Sequence, residues 1–154
     1  MIGGTTAHGF RLLALLLPIA VSAAPGDALN RDWLEAVQLN SLDTIATQLR
    51  RIKDVDLATS HGKTALMAAA AGGSSDLARE LIESGAQVTA ENRSSGTALM
   101  YAAWAGDKVT INLLLQQGAR IDHQASNGWS ALMMAVAKGH TDACKALLIS
   151  SSAV

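Results

Sequence analysis

In GKTALMAAAAGG, residues 62–73, the only large apolar side chains are Leu66 and Met67; the rest of the apolar set is alanine. Thr64 stands at the front, where a hydroxyl can accept a bond from an early helical N–H, and Gly72-Gly73 stand where a helix stops. A helix this thin buries little area alone, so its stability has to come from neighbours that approach closely. The sequence supplies them. TALMAAAAGG starts at Thr64, TALMYAAWAG at Thr97 and SALMMAVAKG at Ser130, each 33 residues after the last.

The register extends beyond these segments. Gly73, Gly106 and Gly139 fall in step, as do Gly62, Ser95 and Gly128, then Leu81, Leu114 and Leu147, and Gly85-Ala86 with Gly118-Ala119. A single period of this size is the mark of a stacked repeat architecture. Within each unit the alanine pairs Ala69-Ala70 and Ala102-Ala103, replaced by Ala135-Val136 in the last copy, predict a narrow first helix. A second helix carries the bulk at helical spacing: Leu77, Ala78, Leu81 and Ile82; Ile111, Leu114 and Leu115; Cys144, Leu147 and Leu148. The polar stretches TAENRSSG and DHQASNG predict projecting turns or hairpins between units.

The pattern resembles the ankyrin repeat, a 33-residue unit of a turn or hairpin and two antiparallel helices with a T-P-L-H-x-A motif. The resemblance spans residues 62 to 149 strongly and extends weakly back to about residue 28. Ala65, Ala98 and Ala131 replace the motif's proline, and Met67, Met100 and Met133 its histidine. The resemblance implies an all-α solenoid of stacked helix-turn-helix units joined by hairpin-like loops, with repeats at 61–93, 94–126 and 127–154. Upstream, Asn40 takes the glycine position and Val55 that of Val88, so residues 28–60 read as a divergent capping repeat. There Trp33, Val37, Ile45 and Leu49 form the buried face, and Arg31, Asp32, Glu35, Arg50 and Arg51 the wet one. The opposite end is thinly protected, by Asp142 and Lys145, before a tail at Ser152-Ala153-Val154 that reads as frayed.

Residues 1–23 read as a signal peptide: Arg11, the short apolar run LLALLLPIAV (12–21), and a small-residue site ending at Ala23. Export of a bacterial type is the expectation, with the periplasm first and secretion second, and residues 24–154 as the mature domain. Its removal leaves 11 basic groups against 13 acidic, since Arg11 is the only charged residue lost. No basic run exceeds Arg50-Arg51, which argues against a nucleic-acid grip. The apolar run is too short to span a bilayer, so no membrane partner is expected after cleavage. One cysteine, Cys144, excludes an internal disulfide and a multi-cysteine zinc site; its place on the apolar stripe predicts burial.

No H-E-x-x-H, G-x-S-x-G or phosphate-cradling loop is present, and the histidines at 61, 123 and 140 lie in loops or at a helix start. The expectation is therefore a noncatalytic chain with no cofactor and no metal, whose partner is another protein. Contacts in the ankyrin family gather on hairpin tips and the ends of first helices. By register that implies Ser60, His61, Lys63, Ala71 and Gly72; Arg93, Ser94, Gly96, Trp104 and Ala105; and Ser126, Asn127, Trp129, Ala137 and Lys138. Trp104, Trp129, Tyr101 and Arg93 are the expected anchors, because aromatic and arginine side chains dominate interface energetics. Two readings stay open at Trp129, as anchor or as packing across the next hairpin, and Tyr101 is either anchor or inter-repeat core. Three roles fit: an accessory or protective factor for a periplasmic enzyme, a stress-defence enzyme for example; an immunity protein against a toxic effector; or a self-assembling structural repeat.

Overall fold

The computed structural model describes residues 25–152, so the expected signal peptide at 1–23 and the last two tail residues lie outside it. Among the described residues eight helices follow one another: α1 (Pro25–Leu39), α2 (Leu42–Gln48), α3 (Ala65–Ala71), α4 (Ser75–Glu83), α5 (Ala98–Ala105), α6 (Lys108–Gln116), α7 (Ala131–Lys138) and α8 (Thr141–Ser152). They pair as antiparallel hairpins, α3 with α4, α5 with α6 and α7 with α8. The pairs then stack, α3 against α5 against α7 in one row and α4 against α6 against α8 in the other. The all-α solenoid that the resemblance implies is what forms.

The thin helices form the axis of the pile. Ala68, Ala69, Ala70, Ala102, Ala103 and Ala135 are fully enclosed, so the alanines set the spacing of the first-helix row rather than merely favouring helix. The outer row supplies the volume. Leu81, Ile111, Leu114 and Leu147 are buried, each contributing roughly 2 kcal/mol from removal of its apolar surface from water. At the N-terminal end Trp33, Val37, Ile45 and Leu49 are buried as their spacing predicts, while Arg31, Asp32, Glu35, Arg50 and Arg51 face solvent.

Two readings are corrected at finer scale. Thr64 and Ser130 cap their helices by accepting from the Met67 and Met133 amides, but Thr97, with φ −114° against −99° and −97°, makes no side-chain cap bond. Cys144 is only partly buried and Leu148 is 54% exposed, so the apolar stripe of the last copy is not enclosed as its sequence spacing predicts. Their equivalents Ile111 and Leu115 are shielded because α8 lies over α6. Among the described residues no further helix pair lies over α7 and α8, and Met133 (50%) and Val136 (63%) are open where Met67, Met100, Ala70 and Ala103 are enclosed.

Two glycine columns each hold one substitute in the left-handed region. Asn40 takes φ 54° at the place of Gly73, and Ser95 takes φ 56° at the place of Gly62 and Gly128. Asparagine tolerates this left-handed region; serine does so at a cost of about 1 kcal/mol. Ser95→Gly should therefore raise the unfolding free energy by about 0.5 kcal/mol, the relief of strain being partly offset by the greater freedom of glycine in the unfolded chain. Urea denaturation monitored by circular dichroism measures it, and a destabilised variant would show that Ser95 is not strained.

Candidate functional site: the hairpin row and a cleft in the second repeat

The three loops preceding α3, α5 and α7 close in one pattern. The residues at each base bond across it, Thr59 N–H to Lys63 O at 2.9 Å, Asn92 N–H to Gly96 O at 2.9 Å and Ala125 N–H to Trp129 O at 2.9 Å. Neighbouring tips are tied by backbone, Arg93 N–H to His61 O at 3.0 Å and Ser126 N–H to Ser94 O at 2.9 Å. The tips thus form a hydrogen-bonded row, and side chains upon it stand on a stiff base. His123 adds a tie, its Nε2–H donating to Ser95 O at 2.8 Å, which places the proton on Nε2 because a carbonyl can only accept. Glu91 holds Arg120 and lies 3.7 Å from His123 Nε2.

Of the columns in which the second unit differs from the others, three bear on this face. Position 101 is tyrosine where Ala68 and Met134 stand, position 104 is tryptophan where Ala71 and Ala137 stand, and position 92 is asparagine where Thr59 and Ala125 stand. Asn92 does the work of Thr59 and more. Thr59 Oγ1 accepts from the Lys63 amide at 3.2 Å, while Asn92 Oδ1 accepts from the equivalent Gly96 amide at 2.8 Å and from Ser94 at 2.9 Å. With its oxygen so engaged, the Asn92 amide directs Nδ2 at the Tyr101 hydroxyl, 2.9 Å away.

These residues border a cleft of about 450 Å³ between the second and third hairpins. Met100, Tyr101, Trp104, Ala125 and Met134 give it an apolar lining; Asn92, Ser94, Gly96, Ser126 and Asn127 give it polar edges. Trp104 is 48% exposed, and the Lys138 ammonium sits 4.4 Å from its ring centroid, a cation–π contact across the repeat boundary. His140 Nε2–H donates to Trp104 O at 3.0 Å, so the backbone carrying the ring is anchored as well.

Of the residues singled out by sequence, Ser94, Gly96, Tyr101, Trp104, Ser126 and Asn127 come together around the cleft and Lys138 joins through the Trp104 ring. His61, Lys63, Arg93 and Trp129 do not line it. His61 is exposed, with Nδ1 3.3 Å from Ser60 Oγ; Arg93 is exposed; Trp129 is 39% exposed, its amide donating to Asn127 Oδ1 at 3.1 Å. Burial pushes the Lys63 ammonium below its ordinary pKa. Tyr101 proves to be both lining and core, being half-buried against the inter-repeat cluster. Asn92, Met100 and Met134 were missed by sequence reasoning. For Asn92 the column gave no signal, since Thr59, Asn92 and Ala125 all differ.

No curated protein sequence matches the chain. The family model described as ankyrin repeats (3 copies) matches residues 33–125 and 97–153. That match covers most of the chain and falls on the stacked helix pairs described above, and on it this protein belongs to the ankyrin repeat family.

Proposed function

We propose that this protein is an exported, noncatalytic binding module that holds one partner protein on the face formed by its hairpin row and first helices. Ankyrin repeats are protein-interaction modules, and the observation that carries the placement is Trp104: a half-exposed indole in a column of alanines, its ring met by the Lys138 ammonium and its backbone carbonyl held by His140. An isolated solvent-facing tryptophan is unremarked on a protein surface, but one whose backbone is anchored and whose ring carries a cation beside a cleft is pre-organised for contact, and pre-organisation lowers the ordering cost of binding. The export reading rests on Arg11, the apolar run 12–21 and the small residues ending at Ala23. The role proposed is that of an accessory or protective factor for an enzyme of the periplasm.

The test is affinity capture from the periplasmic fraction with the wild-type chain and with Trp104→Ala, both shown folded by their melting curves. The expected result is one enzyme recovered by the wild type, bound about tenfold more weakly by the variant, as loss of a half-exposed aromatic anchor implies. Activity of that enzyme should fall when the protein is deleted. Equal recovery by a folded Trp104→Ala would remove this face from the interface, and recovery of a toxic effector would replace the accessory role with immunity.

A further inference from the structure

The cleft's chemistry is more specific than an apolar hollow. Asn92 donates to the Tyr101 hydroxyl, and no acceptor among the described residues takes the hydroxyl's own proton. Tyr101 therefore presents an O–H donor in an otherwise apolar wall, held in place by an amide whose oxygen is locked by two backbone N–H groups. Beside the lining, the Lys138 ammonium lies over the Trp104 ring. No aspartate or glutamate lines the cleft among the described residues. Glu91, on the same loop, is occupied by Arg120. An apolar floor, a directed donor and one ammonium, that of Lys138 on the Trp104 ring, with no carboxylate in the lining, together select for an apolar group with an anion beside it.

We infer that the cleft between the second and third hairpins binds an extended polypeptide segment carrying one large aliphatic or aromatic side chain within two or three residues of a carboxylate. The apolar side chain enters between Met100, Trp104 and Met134. Tyr101 O–H donates to a main-chain carbonyl or carboxylate oxygen of the segment, and the carboxylate meets the Lys138 ammonium without displacing it from the indole. The occupant is a polypeptide because the cleft is edged by two successive hairpins, where Ser94, Ser126 and Asn127 offer polar side chains to a chain passing through. This inference rests on the reading above of the hairpin-row and first-helix face as the binding face, and it adds the partner's chemistry.

The probe is a random linear peptide library displayed on phage and selected against the full folded chain. The expected pool is enriched in Asp or Glu within three positions of Leu, Ile, Met, Phe or Trp. A synthetic peptide from that pool should lose about tenfold in affinity with Lys138→Glu, about fivefold with Tyr101→Phe, and several-fold for wild type on raising salt from about 0.05 to about 0.5 M. Val109→Ala, on the second-helix row, should leave affinity unchanged. An enriched pool without acidic bias, affinities untouched by Lys138→Glu and Tyr101→Phe in folded variants, or no enrichment at all would each overturn the inference. None of these outcomes touches the periplasmic capture experiment, so a wrong partner chemistry is distinguishable from a wrong binding face. Loss of the natural partner with Trp104→Ala but no acidic peptides would leave the face standing and this inference refuted.

Discussion

Gly106→Val should destabilise the protein by about 3 kcal/mol, and Gly106→Ala by about 2 kcal/mol, through two separable costs. Gly106 ends α5 with φ 76°, a conformation that costs an L-residue about 1 kcal/mol or more. A Cβ there would also stand 2.5 Å from His140 Cγ and 2.6 Å from Nδ1. The ring cannot retreat freely, because its Nε2–H is bonded to the Trp104 carbonyl. The in-register Gly139 separates the two effects. It has φ 73°, but a methyl group added there would meet nothing within 4 Å, so Gly139→Ala should cost only the backbone part, about 1 kcal/mol. Chemical denaturation of Gly106→Ala, Gly139→Ala, His140→Ala and the double variant Gly106→Ala/His140→Ala decides it. The double variant should be more stable than the sum of its singles predicts, since removing the ring removes the clash. Equal costs at Gly106 and Gly139 would show that His140 exerts no steric demand on the turn.

That contrast shows where sequence reasoning stops. Period and column were enough to say that positions 73, 106 and 139 reverse the chain, that Asn40 and Ser95 replace glycine, and that Trp33, Val37, Ile45 and Leu49 face inward. Each of these is decided by local backbone or by one helical face, and the repeat displays it several times. What the columns do not display is the one-off contact between different columns. His140 on Trp104 O spans 36 residues, Lys138 on the Trp104 ring spans 34, and Asn92 on Tyr101 joins a hairpin to a helix. Such pairs depend on rotamers and on the lean of one unit over the next, neither of which leaves a periodic trace. The candidate site was legible as a face, from Trp104 and Tyr101 outward, but as a cleft only once Asn92 and the two methionines were placed. Cys144 and Leu148 fail for a different reason: a column tells which side chains would meet a following unit and is silent on whether that unit lies there.

The second large effect follows from that silence, and it tests the packing account as a whole. Ala103→Leu should cost about 3 kcal/mol, while Val136→Leu, in the same column one repeat later, should change stability by less than about 0.5 kcal/mol. Ala103 is fully enclosed in α5, which is held between α3 and α7, so the added carbons have no side on which to expand. Relief would require the first-helix row to spread, and spreading separates the backbone ties of the hairpin row, Ser126 N–H to Ser94 O among them. Val136 is 63% exposed on α7 and a leucine there projects into solvent. Because stacked units are coupled mainly to their nearest neighbours, the Ala103 variant should also unfold less cooperatively, with the third repeat opening at lower denaturant than the first two. Hydrogen exchange by mass spectrometry reads this directly, as a loss of protection confined to residues 125–152 under conditions where α3 and α4 remain protected. Equal tolerance of leucine at 103 and 136 would mean that the alanine row does not set the spacing of the stack, and with it the stiffness of the face on which Trp104 is presented would lose its physical basis.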